Sequence, residues 1–408
     1  MTIDRVKASN IKNFESIDLK LGNFNVFIGS NASGKSNFVS IFRFIKDLSN
    51  NDLHNVISMH GGIDYLRNLS LGNSIPTSIT ISSNTGFKST LSLKDYYLGV
   101  DCSSAEYSIK ISYEDDDSYL SKDKFRFNCS LFELERKNSK LKEKKNIGKG
   151  LITYTSSKGK INISISKNLN IDKNILTPFW KLPSETLIRY PLFPLIFEGS
   201  QSLINISIYD IDPKLPKKAI PITGKVDLEE NGNNLALALN QLIRNKSKLN
   251  KLNNIIKDLL PFVEDVDIAK LEDKSILFKL KERYFKKGYL PATFISDGTI
   301  NLLAIILILF IEESDVAIIE EPERNIHPHL ISSLIDLMKD ASSKKQIIIT
   351  THNPEIIRHA GIDNIYLISR TREGRSDIFK PKTKKQVRHF LKNDIGIEEL
   401  FIDNMLQI

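Results

Sequence analysis

Between Phe24 and Ile45 the chain passes from a short apolar run, through a loop bounded by glycines, into a stretch with helical spacing, and few folds accommodate that succession. Phe24-Asn25-Val26-Phe27-Ile28 reads as a buried strand. Directly behind it, Gly29-Ser30-Asn31-Ala32-Ser33-Gly34-Lys35-Ser36 fits the pattern G-x-x-x-x-G-K-[ST], and Phe38, Phe42 and Ile45 share one face of the helix that follows. Glycine lets the backbone curl so that successive amides point inward at phosphate oxygens. A helix opening at Gly34 adds the positive end of its dipole. Lys35 brings a charge to the β- and γ-phosphates, the Ser36 hydroxyl can ligate Mg²⁺, and Asn37 completes the contact set. The expectation is a nucleoside triphosphate site.

Three further segments, far along the chain, fit the same chemistry. Val316-Ala317-Ile318-Ile319 is an apolar strand that runs into Glu320, Glu321, Pro322 and Glu323. Such a strand belongs in a parallel sheet, with its C-terminal end at the crevice that holds the phosphate loop. Glu320 is placed to hold Mg²⁺, and Glu321 to orient and deprotonate an attacking water. Gln346 to Thr350 reads as another core strand, and His352 just past it can reach the γ-phosphate and that water. Ser296, Asp297 and Gly298 open a strongly apolar helix, which is either a second anion site or a serine N-cap with a glycine turn.

Composition narrows the setting. The longest apolar run, Leu302 to Ile311, is about half of what a bilayer span requires, and no secretory leader opens the sequence, so no membrane role is expected. Cys102 and Cys129 fit a reducing compartment, are not spaced as metal ligands and are too few for a disulfide framework; the cytoplasm is the expected location. A formal charge of +8 is compatible with a nucleic-acid partner without requiring one.

Residues 75 to 170 are rich in Ser, Thr, Ile and Tyr, with alternation such as Ile161-Asn162-Ile163-Ser164-Ile165, and predict hairpins of a β-rich arm. The lysine-rich stretch from Arg136 to Lys149 reads as a solvated loop, with a DNA-facing loop as the other reading. Leu235, Leu239 and Leu242 share a helical face, a polar helix continues from Asn245 to Lys257, and Ile276, Phe278 and Leu280 alternate as a strand.

Taken together, the phosphate loop, Ile295-Ser296-Asp297-Gly298-Thr299, Glu320-Glu321-Pro322-Glu323 with His327-Pro328, and His352 resemble, in composition and order, the ABC-type ATPase heads of the RecF, SMC and OLD families. The opening Asn10-Ile11-Lys12-Asn13-Phe14-Glu15-Ser16 resembles their N-terminal strand pair. Two departures stand out: Glu320 replaces the usual Walker B aspartate, as in OLD-like proteins, and Asp297 replaces the signature glycine of transporters. Gln201 is the nearest candidate, by order alone, for a Q-loop glutamine.

The resemblance implies an α/β P-loop NTPase, an ABC/RecF-like head with a mixed β-sheet, an inserted β-rich arm and a short helical insertion. The implied parts are an N-terminal head portion (1–74), a β-rich insertion and lobe (75–225), a helical insertion that could serve dimerisation (226–265) and a C-terminal head portion (266–408). It implies ATP and Mg²⁺ as ligands, and a homodimer or higher oligomer in which Ser296, Asp297 and Gly298 of one copy face the ATP on the phosphate loop of another. Glu321, His352 and Lys35 would carry catalysis. The functions implied are a dimerisation switch in DNA repair or anti-phage defence with an effector nuclease or toxin as partner, or a slowly hydrolysing scaffold that restrains such a partner. The stretch after His352 is too short for a Toprim nuclease, so a separate protein would do any cutting. A transporter subunit fits poorly, because Lys35 and Ser296 lie farther apart than transporters place them.

Overall fold

A computed structural model describes residues 2–72, 74–93, 96–114, 117–137, 140–157, 160–176, 186–189, 203–285, 288–383 and residue 399. Gln201 and residues 384–398 lie outside the described residues, as does much of the 177–202 stretch.

The chain opens with the hairpin β1 (Arg5–Ile11) and β2 (Phe14–Lys20), then β3 (Phe24–Ile28) and helices α1 (Lys35–Asn50), α2 (Leu53–Met59) and α3 (Ile63–Leu66). Six strands follow: β4 (Thr77–Ser83), β5 (Phe87–Ser92), β6 (Tyr97–Glu114), β7 (Asp117–Lys137), β8 (Lys140–Ser157) and β9 (Lys160–Ile165). Next come β10 (Ile206–Tyr209), β11 (Ile220–Pro221), α4 (Leu235–Ile243), α5 (Lys246–Leu259), β12 (Val263–Lys270), β13 (Ser275–Glu282) and β14 (Leu290–Pro291). The chain then forms α6 (Asp297–Phe310), β15 (Val316–Glu320), α7 (Ile331–Ala341), β16 (Gln346–Thr351), α8 (Pro354–Ala360), β17 (Ile365–Arg370) and β18 (Ser376–Phe379).

The central sheet has the order β10-β15-β16-β3-β17-β18 and is parallel except for the last strand. Its strands are buried on both faces, which is why β3, β15 and β16 read as unbroken apolar runs. On one side, Phe27 stacks between Phe38 of α1 and Tyr366 of β17, with ring centroids 4.1 and 4.6 Å apart, and the antiparallel sheet closes over them. On the other side, Val26 and Ile28 meet α6, whose residues Ile300 to Leu309 are all buried. A helix apolar on every side can only be a core helix here. Leu235, Leu239 and Leu242 of α4 enter this same core with Ile276, Phe278 and Leu280 of β13, so the apolar face expected on the helical insertion is buried within the chain.

The antiparallel sheet runs β2-β1-β4-β6-β7-β8-β9, so the N-terminal hairpin and the β-rich stretch share one ladder. Two expectations are corrected here. The Arg136–Lys149 stretch is not a loop: Arg136 pairs with Leu141 and Glu135 with Lys142 in the β7–β8 hairpin. Leu134 covers Gly99 of β6, which anchors one face, while the lysines point to solvent. Cys102 and Cys129 lie directly opposite in register and are joined by a disulfide, a single bridge that their count had not suggested.

One buried acid in this sheet predicts a pH dependence. Asp123 is fully buried, accepts a hydrogen bond from the Leu187 amide, and has its pKa pushed up to about 7 by burial. Unfolded, it titrates near 3.8. The folded chain therefore holds the extra proton between those values, and stability falls as pH rises through that window. Asp123→Asn keeps an acceptor for Leu187 without a charge to bury. Calorimetry should find it unchanged near pH 4 and more stable by roughly 4 kcal/mol, a few degrees in Tm, at pH 8. A variant that melts lower at both pH values refutes the assignment.

Candidate functional site

The phosphate loop lies between the C-terminal end of β3 and the N-terminus of α1. Ala32 (φ 61°) and Gly34 (φ 117°) are left-handed, which turns the loop amides toward its interior. A Cβ at Gly34 would meet the side chains of Ser376 and Asn13, and one at Gly29 the Ile368 carbonyl. Ser376 donates to the Ser33 carbonyl and accepts from Asn13, so β18 and the β1–β2 turn brace the loop from outside. Ser33 is itself buried and its hydroxyl has no partner among the described residues. Lys35 is also buried, and its Nζ donates to the carbonyls of Gly29 (2.8 Å) and Ser30 (3.0 Å). Burial lowers its pKa, opposed by Glu321, Glu323 and Glu320. Asn37 lines a cavity of about 380 Å³ with Asn13 and Tyr65.

Parallel pairing of β15, β16 and β3 carries the distant motifs to this loop. The Ser36 hydroxyl donates to Glu320 Oε2 at 3.0 Å across 284 positions of sequence. Burial raises the pKa of Glu320, and the Ser36 hydrogen bond opposes this. A hydroxyl and a carboxylate are hard oxygen donors, and Mg²⁺ held partly by phosphate and water needs only one or two such protein ligands. The pair fits that ion. Among the described residues no group of three or more His, Cys, Asp or Glu side chains could form a closed metal cage.

Glu321 takes a different direction from its neighbour because its backbone is left-handed (φ 44°), with its amide bonded to the Thr350 carbonyl at 2.8 Å. Its Oε1 meets His352 Nδ1 at 2.9 Å and its Oε2 meets Arg324 Nη2 at 3.4 Å. Burial pushes the Glu321 pKa up, but His352 and Arg324 outweigh it and hold the carboxyl below its usual range. An ionised carboxylate beside an imidazole can accept a proton from water.

Ser296 caps α6, its hydroxyl accepting from the Thr299 amide at 3.2 Å. Asp297 pairs with Lys217 at 2.6 Å, and a Cβ at Gly298 would collide with the Asn325 carbonyl. The structure thus brings Lys35, Ser36, Glu320, Glu321 and His352 to one sheet edge. Among the described residues no hydrogen bond joins Ser296, Asp297 or Gly298 to the phosphate loop. Four neighbours escaped sequence reasoning. Glu323 is buried and accepts from the Thr351 hydroxyl, and burial raises its pKa. Asn301 of α6 donates to the carbonyls of Pro322 and Arg324. Arg324 and Asp210 form an ion pair. Glu323 was visible as a third acid in its motif; the other three carry no local signal.

A family model described as "AAA domain, putative AbiEii toxin, Type IV TA system" matches residues 24–147 and 182–358. No curated protein matches the chain. Among solved structures it is similar to an SMC head bound to the C-winged helix domain of ScpA, at 14% identity and TM-score 0.50, covering 93% of this chain and 98% of that one. It is also similar to a Pyrococcus furiosus Smc head domain with an extended coiled coil bound to the C-terminal domain of ScpA, at 12% identity and TM-score 0.49, covering 96% and 99%. The fold is that of an ABC/SMC-like P-loop ATPase head.

Proposed function

The chain belongs to the family described as an AAA domain, putative AbiEii toxin, type IV TA system, and from that premise we propose that it hydrolyses ATP as a switch whose two copies close on shared nucleotide. Gly29, Ser30, Asn31, Ala32, Ser33, Gly34, Lys35, Ser36 and Asn37 hold the triphosphate through inward amides and the Lys35 charge. Ser36 and Glu320 hold Mg²⁺, which when bound supplies charge for the phosphate oxygens. Glu321 accepts the proton of the attacking water, and His352 keeps the Glu321 carboxylate aimed. Ser296, Asp297 and Gly298 face the nucleotide of the second copy, where the start of α6 offers its amides to the γ-phosphate. Hydrolysis removes the shared group and opens the pair.

The observation that carries this reading is the meeting of Ser36 with Glu320 and of Glu321 with His352 at the mouth of one phosphate loop. Light scattering is the test of the switch: the wild-type chain should double in mass with MgATP and return to its starting mass as phosphate is released. A mass indifferent to nucleotide refutes it. In the cell the switch would act in DNA repair or anti-phage defence through an effector protein. The family description, which includes a toxin, favours a second reading in which ATP-bound chain restrains a toxin or nuclease and turns over slowly. Copurification of an effector together with very slow hydrolysis separates that reading from the first.

A further inference from the structure

The carboxylates at this site are tied to the same peripheral segment by two arginines. Arg324 forms a fork: Nη1 lies 2.9 Å from Asp210 Oδ1 and donates to the Ile211 carbonyl at 3.2 Å, while Nη2 reaches Glu321 Oε2 at 3.4 Å. Asp210 follows directly on β10, the strand that borders β15 at the edge of the parallel sheet. The Asp210 amide bonds to the Glu230 carbonyl at 2.9 Å, and the Glu230 side chain pairs with Arg43 of α1, whose Nη2 lies 3.9 Å from Glu320 Oε1. Segment 206–230 therefore touches both carboxylates through guanidinium groups. The loop that bears Glu321 is also stapled to α6 by Asn301 and contains a second left-handed residue, Asn325 (φ 62°).

We propose that Arg324 is a positioning residue for Glu321, and that Asp210 acts on Glu321 only through Arg324, by sharing the guanidinium and limiting how firmly it grips the carboxylate. The inference rests on the reading of Glu321 as the base. The geometry supports the division of labour. The Asp210 contact is short and is completed by a backbone acceptor, so it anchors the fork. The Glu321 contact is long, so it steers one carboxylate oxygen while leaving it able to turn toward water. A planar fork can serve two acids at once in fixed directions, which a lysine ammonium cannot. The second consequence is mechanical: displacement of the β10 end moves the fork, and with it the carboxylate.

Steady-state phosphate release on the full chain tests this with Arg324→Ala, Arg324→Lys, Asp210→Asn, the Arg324→Ala/Asp210→Asn double variant and Glu321→Gln. Arg324→Ala should lose roughly tenfold to a hundredfold in kcat, as misplaced catalytic groups do, with KM for MgATP held within about twofold. Arg324→Lys should recover only part of the rate. Asp210→Asn should lose less than Arg324→Ala, and the double variant should match Arg324→Ala alone, because one acts through the other. Melting temperatures should agree across the set, since both side chains are partly exposed. Additive losses would show Asp210 acting on its own and overturn the proposal, as would an unchanged kcat in Arg324→Ala while Glu321→Gln has lost turnover. Full turnover in Glu321→Gln would instead remove the base assignment itself, and this proposal with it.

Discussion

Glu321→Gln is expected to cut ATP turnover by about 10²–10⁴-fold, the usual worth of a positioned base, while nucleotide binding survives and a MgATP-bound dimer accumulates. The substitution is close to isosteric and keeps an oxygen for His352 or Arg324, so the loop geometry at φ 44° has no reason to change. What disappears is the ionised oxygen that takes the proton. Neither neighbouring acid can replace it. Glu320 is bonded to Ser36 and assigned to the proposed Mg²⁺ site, and Glu323 is buried against Thr351, its proton favoured by desolvation. Loss in kcat with unchanged KM is the signature of a group used in the transition state alone. Phosphate release and light scattering on the same sample read both halves. Turnover within tenfold of wild type would mean that another group activates the water.

The distribution of what was legible follows the range of the interactions. The phosphate loop could be read because a strand, a glycine-bounded turn and a helix start are contiguous, and each constrains its own backbone. β15 and β16 could be read because a parallel strand buried on both faces must be apolar throughout. The Ser296 cap was legible for the same local reason, since its partner Thr299 is three residues away. The partnership of Arg324 with Asp210 was not, because it spans more than a hundred positions and depends on β10 lying beside β15. The Arg136–Lys149 hairpin was hidden by its exposed lysines, although Ile147 packs against the core, and the cysteine bridge by a register that only the folded ladder defines. Charge patterning reports solvent exposure, and an exposed hairpin end and an exposed loop look alike by that measure.

Lys35→Ala is expected to weaken MgATP binding by about 10²–10³-fold, the scale of removing one partner from a buried, hydrogen-bonded charge pair. The environment explains the size of the effect. Lys35 is the cation that faces Glu320, Glu321 and Glu323, and all three raise its pKa against the lowering caused by burial. Without it, a triphosphate would enter beside three acids with no compensating ammonium, and the carbonyls of Gly29 and Ser30 would lose their shared donor. Lys35→Arg should fail to restore affinity. Those carbonyls sit 2.8 and 3.0 Å from a compact Nζ, and a broad planar fork cannot fit behind a loop braced by Ser376 and Asn13. Isothermal titration with a non-hydrolysable analogue measures the loss, and an unshifted melting temperature without nucleotide shows that the fold is intact. An affinity within threefold of wild type would place the phosphates elsewhere and detach Ser36 and Glu320 from the metal role that depends on them.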